Sequence, residues 1–175
     1  MNTKRLNEII RVNHAGEHGA VAIYKGQINA LKLMGDKKTL PLIYDMLEGE
    51  KVHAKEFDKI IEKKGTRATA LMPLWHLSGF TLGVASALGG RDALMACTEA
   101  VEEVIDKHYS DQIKELEDSK KEPEILEIIK QFHEDELEHE EIAKNEISEN
   151  TPALKAFKKI VKVGCRAAIS LSEKI

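Results

Sequence analysis

Residues 134–141 have the sequence EDELEHEE, with one leucine and one histidine among six acidic side chains. A run of charge usually forms a solvated helix face, so this stretch by itself predicts an acidic surface. Helical spacing assigns two of these residues to a different face. Glu136 and His139 fall in line with Phe132 and Ala143 on the apolar stripe of the surrounding helix. The stretch therefore predicts a helix that directs a Glu-x-x-His pair toward the core. Its other glutamates are predicted to lie at the surface: Glu134, Glu138, Glu140 and Glu141.

The same arrangement occurs on an earlier helix, where Glu50 and His53 share an apolar stripe with Met46 and Phe57. Residues three positions apart are neighbours on a helix surface, so each Glu-x-x-His pair can converge on one point. Glu50 and Glu136 are 86 positions apart, as are the two histidines. The repeated offset predicts two equivalent helix pairs.

A single glutamate precedes each pair at a similar distance. Glu17 lies 33 positions before Glu50, and Glu102 lies 34 positions before Glu136. The offset does not distinguish Glu102 from Glu103, but the helical face does, because Glu102 shares its face with less polar residues. The face of Glu103 is expected to be solvated and carries other charged residues: Glu99, Asp106 and Lys107. Glu102 is therefore predicted to point inward.

Together these six side chains have the composition of a metal site. Buried carboxylates without partners cost on the order of several kcal/mol each, and two divalent cations would neutralise four carboxylates beside two neutral imidazoles. Two single glutamates and two Glu-x-x-His pairs are the ligand set of ferritin-like di-iron and di-manganese bundles. We therefore predict an all-α, ferritin-like four-helix bundle with an iron or manganese centre, rather than a coincidental acidic core. The predicted ligands are Glu17, Glu50, His53, Glu102, Glu136 and His139.

Composition limits the other classes of function. The chain has 175 residues, a formal net charge of −4 and a pI near 6.0, which gives nucleic acid little to bind. Cys97 and Cys165 form no CxxC motif, which argues against a disulfide framework or a zinc knuckle. The N-terminus lacks an apolar signal-peptide core, so we expect a cytosol-facing chain or a mature form.

Periodicity and end signals predict one domain, residues 1–175, built from five or six helices. Glycines suited to helix ends follow the first two helices, and Pro123 and Pro152 open the last two. Thr151 is predicted to cap the final helix. The helices are predicted over about residues 3–33, 39–64, 91–117, 123–150 and 152–175.

Residues 68–90 differ from the rest because they contain no charged side chain. The length would allow a membrane span, but Pro73, His76 and four glycines make it a poor one. One interpretation is a buried crossover segment; the other is an element that lies against a bilayer surface, which Trp75 and Phe80 favour. The C-terminal helix, residues 152–175, is a second candidate for lipid contact or for covering the bundle. Within the uncharged segment, the residues expected to contact lipid include Leu82 and Val84.

With these motifs the chain resembles the aerobic demethoxyubiquinone hydroxylases, a family of membrane-associated di-iron proteins. The resemblance covers nearly the whole chain, and two of its motifs are not required for metal binding. Those two, LMPLWHLSGFTLG at 71–83 and GCRAAISLSEKI at 164–175, distinguish this family from other ferritin-like proteins. The remaining motifs are RVNHAGEHGA at 11–20, EKVH at 50–53, ACTEAVEEVIDKHY at 96–109 and DELEH at 135–139.

This resemblance implies that the cofactor is a pair of iron ions bridged by Glu50 and Glu136. It implies hydroxylation of a demethoxyubiquinol ring, a late step of ubiquinone biosynthesis, with O₂ and an external reductant such as NADH. It also implies that His108 and Tyr109 assist electron or proton movement; the alternative is a surface histidine beside a core tyrosine. The expected partners are a polyprenylated quinol, a membrane surface and a quinone-presenting protein. The expected location is the cytoplasmic face of the inner cell membrane, bound peripherally.

Other functions share parts of the pattern. A ferritin-type ferroxidase would use the same ligands without an organic substrate, but it needs no long uncharged segment. A rubrerythrin-type peroxidase lacks support because no CxxC pairs exist for a second iron centre. A tRNA-modifying di-iron hydroxylase fits the ligands but not the acidic chain. A metal-free helical bundle is the remaining alternative.

Overall fold

The computed structural model describes residues 1–175, and its only regular secondary structure is α-helix. The predicted all-α class is therefore confirmed. Five of the helices correspond to the predicted ones, and the sixth forms within the uncharged segment. In chain order they are α1 (Thr3–Met34), α2 (Leu40–Lys64), α3 (Met72–Leu88), α4 (Arg91–Ser119), α5 (Pro123–Asn145) and α6 (Pro152–Lys174).

The helix ends follow local chemistry. Gly35 and Gly65 end α1 and α2 with φ values of 72° and 62°, the left-handed conformation that glycine adopts without strain. The hydroxyl of Thr151 accepts a hydrogen bond from the backbone N–H of Leu154, as predicted for the cap of α6. The predicted end of α5 near residue 150 is wrong by about one turn. The reason is tertiary, because the Asp92 carboxylate at the start of α4 accepts the backbone N–H groups of residues 148 and 149.

Two helical hairpins form the four-helix bundle: α1 packs along α2, and α4 packs along α5. One apolar cluster, which contains Tyr24, Met46 and Leu94, occupies one end of the interior. Another, which contains Phe57 and Phe132, occupies the other end. The Glu-x-x-His pairs fall between these clusters along α2 and α5, so the polar centre is enclosed by apolar packing on both sides.

Helices α3 and α6 form a second layer over the face made by α1 and α4. Helix α3 approaches α1 very closely because glycines face each other at the crossing. A Cβ on Gly83 would overlap the carbonyl oxygen of Ile23, and one on Gly26 would overlap that of Phe80. The first turn of α3 is also tied to α6 by a hydrogen bond of 2.9 Å from Trp75 Nε1 to a serine hydroxyl.

The uncharged segment combines features of both sequence interpretations. Leu82 and Val84 pack inward against the core, so the expectation that they contact lipid is wrong. Leu77 and Phe80 are exposed on the outer side of the same helix. None of the six helices combines the length and the apolar content that a membrane crossing requires.

An apolar cavity of about 400 Å³ lies between the two layers, beside the places where they touch. Its walls come from α1, α3, α4 and α6, and the α1 wall is built largely from small residues such as Gly16 and Gly19. Cys165 lines this cavity, whereas Cys97 is fully buried in the adjoining core. Both cysteines are free thiols.

Candidate metal centre

The six predicted ligands converge inside the bundle, and four helices contribute to the cluster. Their donor atoms form two groups, and within each group all donors lie within 4.8 Å of one another. Glu50 and Glu136 belong to both groups. The first group is Glu17, Glu50, His53 and Glu136, and the second is Glu50, Glu102, Glu136 and His139.

Both histidines direct the same ring atom inward. His53 Nδ1 lies 3.2 Å from a Glu136 oxygen and 3.5 Å from a Glu17 oxygen. His139 Nδ1 lies 3.2 Å from a Glu50 oxygen and 3.4 Å from the other Glu136 oxygen. Each Nδ1 therefore faces two carboxylates that belong to the same donor group.

The carboxylates are perturbed because they share a buried volume. Burial, with repulsion from Glu136, raises the pKa of Glu50 to about 8. Burial also raises the pKa of Glu17 and of Glu102. Glu136 is the exception, since burial opposes its ionisation but the adjacent His139 and His53 rings lower its pKa to about 2. One carboxylate thus holds its charge beside two cationic rings, and the others resist ionisation until a cation compensates them.

The pKa values of both histidines are also raised, which favours the protonated, cationic rings. Burial lowers the pKa of His53, but the hydrogen bond to Glu136 and the nearby Glu17 carboxylate outweigh it and raise the value to about 12. For His139, burial lowers the pKa, but the carboxylates of Glu136 and Glu50 close to Nδ1 outweigh it and raise the value to about 11. Without metal, protons on these rings balance part of the carboxylate charge. Metal binding would release them, because imidazole coordinates in its neutral form.

Several buried polar atoms of the cluster have no hydrogen-bond partner. Both oxygens of Glu50 are in this state, as are Glu17 Oε2, Glu136 Oε2 and His139 Nδ1. Buried polar groups are normally satisfied, so unsatisfied donors and acceptors concentrated at one point call for a ligand. Two divalent cations would satisfy these atoms and neutralise four carboxylates. The residues present therefore fit a dimetal cofactor.

Residues outside the predicted ligand set hold the ligands in place. Asp135 Oδ2 lies 3.1 Å from the outward Nε2 of His53. The Tyr109 hydroxyl donates to Glu17 Oε1, and the Tyr24 hydroxyl donates to Glu102 Oε1 at 3.1 Å. Periodicity could have found Tyr24, which shares the apolar stripe of α1 with Glu17. Asp135 gives no such signal, because its role depends on how α2 approaches α5.

His108 does not contact the carboxylate cluster. Its Nε2 accepts a hydrogen bond of 2.7 Å from Gln112 Nε2, and the Gln112 amide also pairs with Asn13. Burial lowers the pKa of His108, which keeps the ring neutral. Only Tyr109 of the predicted His-Tyr pair therefore touches a candidate ligand, and the redox role of the pair stays a prediction.

Two expectations about surface carboxylates are wrong. Glu140 is buried and pairs with Lys144 on the same helix. Glu99 is also buried, because α6 covers that side of α4 and Lys158 lies 2.9 Å from its carboxylate. Glu103 is paired in the same way with Lys162. The part of the polar α4 face that carries Glu99 and Glu103 is thus a charged interface with α6, whereas Lys107 on the same face is exposed.

A bundle of two helical hairpins around four carboxylates and two histidines has the architecture of a ferritin-like protein, and its buried cluster could hold metal ions. Comparison with known sequences narrows this class. The profile of the family described as ubiquinone biosynthesis protein COQ7 matches residues 4–172. The chain belongs to that family.

Individual relatives agree with this assignment. The chain is 44% identical over 176 residues to the NADPH-dependent 3-demethoxyubiquinone 3-hydroxylase, mitochondrial, of Rattus norvegicus, which covers 99% of this chain and 80% of the relative. It is 45% identical over 172 residues to the Homo sapiens protein of the same name, covering 97% and 78%. It is 40% identical over 171 residues to the 3-demethoxyubiquinol 3-hydroxylase of Rhodospirillum rubrum, covering 97% and 78%.

Proposed function

We propose that this chain is a dimetal monooxygenase that hydroxylates the ring of a demethoxyubiquinol, a late step of ubiquinone biosynthesis. The observation that carries the proposal is the convergence of Glu17, Glu50, His53, Glu102, Glu136 and His139 on one buried point, in a member of this family. The names of the relatives give the reaction class. Glu50 and Glu136, which belong to both donor groups, are the proposed bridging ligands.

Iron is the proposed metal, since carboxylates with imidazoles suit iron or manganese and offer no thiolate. When bound, the metal pair supplies O₂ activation for oxygen insertion into the quinol ring. The chain supplies orientation and exclusion of water. Tyr109 and Tyr24 hold the carboxylates of Glu17 and Glu102, and Asp135 orients His53.

The apolar cavity is the proposed substrate site. Its lining residues Gly16 and Ala20 flank Glu17 on α1, and Val101 and Ile105 flank Glu102 on α4. The cavity therefore borders the two helices that hold one carboxylate in each donor group. Its walls are almost entirely apolar, which suits a quinol ring with an isoprenoid tail and excludes water from the reaction.

Insertion of one oxygen atom of O₂ into the ring leaves the other atom to be reduced to water, so the reaction needs reducing equivalents. NADH was the candidate from sequence resemblance, and the names of the mammalian relatives specify NADPH. A reduced nicotinamide is therefore the proposed donor. His108 and Tyr109 are the proposed route for electrons or protons, and the hydrogen bond from Tyr109 to Glu17 supports the second member of that pair.

We propose peripheral attachment to the cytoplasmic face of the inner cell membrane, through the outer faces of α3 and α6. Leu77 on α3 and Val163 on α6 are well exposed and do not line the cavity, and the two helices form its outer wall. A substrate with a polyprenyl tail resides in the bilayer, so a cavity beneath a lipid-facing layer gives it a direct route. A partner protein that presents the quinone would dock on the same layer.

The test is reconstitution of the iron-loaded protein with demethoxyubiquinol, a reductant and ¹⁸O₂. Mass spectrometry should detect a hydroxylated ring that carries the label. The matched control is the double variant Glu136→Ala/His139→Ala, which removes one Glu-x-x-His pair. A centre that binds metal and is oxidised by O₂ but yields no hydroxylated product would refute the hydroxylase function.

Such an outcome would favour the ferritin-type alternative, in which metal oxidation is the whole reaction. Family membership over residues 4–172 does not favour that alternative. Size-exclusion chromatography distinguishes the two functions further, because a ferritin assembles into a large shell.

The single-domain organisation of residues 1–175 stays a prediction that limited proteolysis would test.

A further inference from the structure

A second cluster of metal-binding side chains lies outside the dimetal centre, where α1, α2 and α3 meet. His14 and His18 are four positions apart on α1, so their rings project from the same side of the helix. The Asp58 carboxylate of α2 lies opposite them. His14 Nε2 is 3.0 Å from Asp58 Oδ1, and His18 Nε2 is 2.9 Å from the same oxygen.

We propose that His14, His18 and Asp58 form a binding site for one divalent transition-metal ion of the zinc class, separate from the dimetal centre. The three donor atoms lie within 4.8 Å of one another. None of them belongs to either donor group of the dimetal centre. Two imidazoles and one carboxylate are a common ligand set for zinc, with further positions left for water or another side chain.

The spacing suits such an ion. At a Zn–N distance of about 2.0–2.1 Å, tetrahedral donors lie roughly 3.3 Å apart and two imidazole ring centroids about 5 Å apart. The His14 and His18 ring centroids are 4.5 Å apart. The ring of His76, on α3, has its centroid 5.9 Å from that of His18. His76 is thus within a side-chain adjustment of a fourth coordination position.

One side of this site is buried in the protein and the other side is open to solvent. The His14 side chain is only 9% exposed, whereas the Asp58 side chain is 52% exposed. An ion can therefore enter from solvent and meet a ring that packing already holds. With neutral imidazoles the three ligands carry one negative charge, which favours a cation over an anion.

An ion at this position would link the two helices that also supply the first donor group of the dimetal centre. His14 and His18 flank Glu17 on α1, and Asp58 follows His53 on α2. Binding to the folded state alone would raise the unfolding temperature as zinc is added. The site would therefore brace α1 against α2 beside the dimetal centre.

The test is zinc binding to the iron-loaded protein, followed by competition with a chromogenic chelator and by elemental analysis. We expect one zinc per chain to bind without loss of iron, and the unfolding temperature to rise. His18→Gln and Asp58→Asn should abolish this equivalent and the thermal shift. Both side chains are partly exposed, so the variants should fold.

The matched control is His133→Gln, because His133 Nε2 pairs with Asp106 at 2.7 Å but has no second histidine beside it. This variant should retain the additional zinc. The variant Glu136→Ala/His139→Ala should also retain it, which separates failure of the dimetal centre from failure of this site. Zinc that binds only by displacing iron, or that binds equally to His18→Gln and the wild type, would overturn the proposal.

Discussion

Each histidine of the candidate metal centre turns Nδ1 inward, so the orientation of its ring depends on the partner that Nε2 contacts on the outer side. For His53 that partner is Asp135, at 3.1 Å. A carboxylate behind a ligating imidazole fixes the ring and increases its basicity. The metal affinity of the proposed centre should therefore depend on Asp135, which is not among the predicted ligands.

We expect Asp135→Ala to lower metal affinity about 10- to 100-fold, because the His53 ring loses its outer hydrogen bond. Competition with a chelator of known affinity would measure the change. Glu134→Ala is the matched control, since Glu134 is an exposed acid one position away on the same helix. Equal affinity in the two variants would mean that Asp135 has no positioning role.

Two tyrosines donate to ligands from opposite sides of the centre, which allows a direct test of the proposed role of Tyr109. Removing either hydroxyl leaves a buried carboxylate without a donor and should cost about 1.5–3 kcal/mol of stability. If Tyr109 also moves a proton or an electron, Tyr109→Phe should lower turnover about tenfold or more beyond Tyr24→Phe. Turnover at saturating quinol would measure this difference, and equal losses would reduce Tyr109 to a positioning residue.

At the scale of elements, the crossing of α1 and α3 depends on glycines that let two backbones touch. A side chain at Gly83 would meet the carbonyl oxygen of Ile23, and backbone cannot move aside as a flexible side chain can. This crossing also fixes one wall of the cavity, because Gly19 and Gly79 line it. The separation of α1 and α3 therefore sets the width of the proposed substrate site.

We expect Gly83→Ala to lower stability by about 1–3 kcal/mol, as in other overpacked interiors. Gly164→Ala is the control, because no atom lies within 4 Å of the Cβ it would add. Alanine is also the better helix former by up to about 1 kcal/mol, so this control should be neutral or stabilising. Thermal unfolding of both variants gives the comparison, and equal unfolding temperatures would contradict the close-packing account.

The whole molecule is a ferritin-like bundle with an added layer, and the layer accounts for two separate features. Its inner face closes the apolar cavity against α1 and α4. Its outer face exposes large apolar side chains, including Leu77 at 67% and Val163 at 58%. Lysines of α6 meanwhile pair with glutamates of α4, which fixes the layer to the bundle by charge as well as by packing.

If this layer binds lipid, the double variant Leu77→Glu/Val163→Glu should partition to vesicles at least tenfold less than the wild type. Burial of one such side chain contributes about 1.5–3 kcal/mol, and the variant removes two. Co-flotation with vesicles measures partitioning, and circular dichroism verifies the fold. Leu33→Glu is the control, because Leu33 is 86% exposed near the end of α1. Unchanged partitioning of a folded double variant would exclude this surface as the membrane contact.

Local sequence determined the apolar face and the ends of most helices in this protein. Helical periodicity specifies which face of each helix is apolar, so the positions of Glu17, Glu102 and the two Glu-x-x-His pairs were predictable before any contact was known. End signals depend equally on near neighbours, which is why the glycine ends of α1 and α2 and the Thr151 cap agree with prediction. The carboxylate-rich interior followed from the same periodicity.

Only the tertiary structure decided the contacts between helices that are distant in sequence. The pairing of His53 with Asp135, the covering of Glu99 by α6 and the approach of Asp58 to His14 all depend on crossing angles and helix rotation. Periodicity gives the apolar face of a helix but not its neighbour, because many helices present compatible faces. The inward orientation of Leu82 and Val84 was unpredictable for the same reason, since a helix with apolar residues on every side has no unique face to bury.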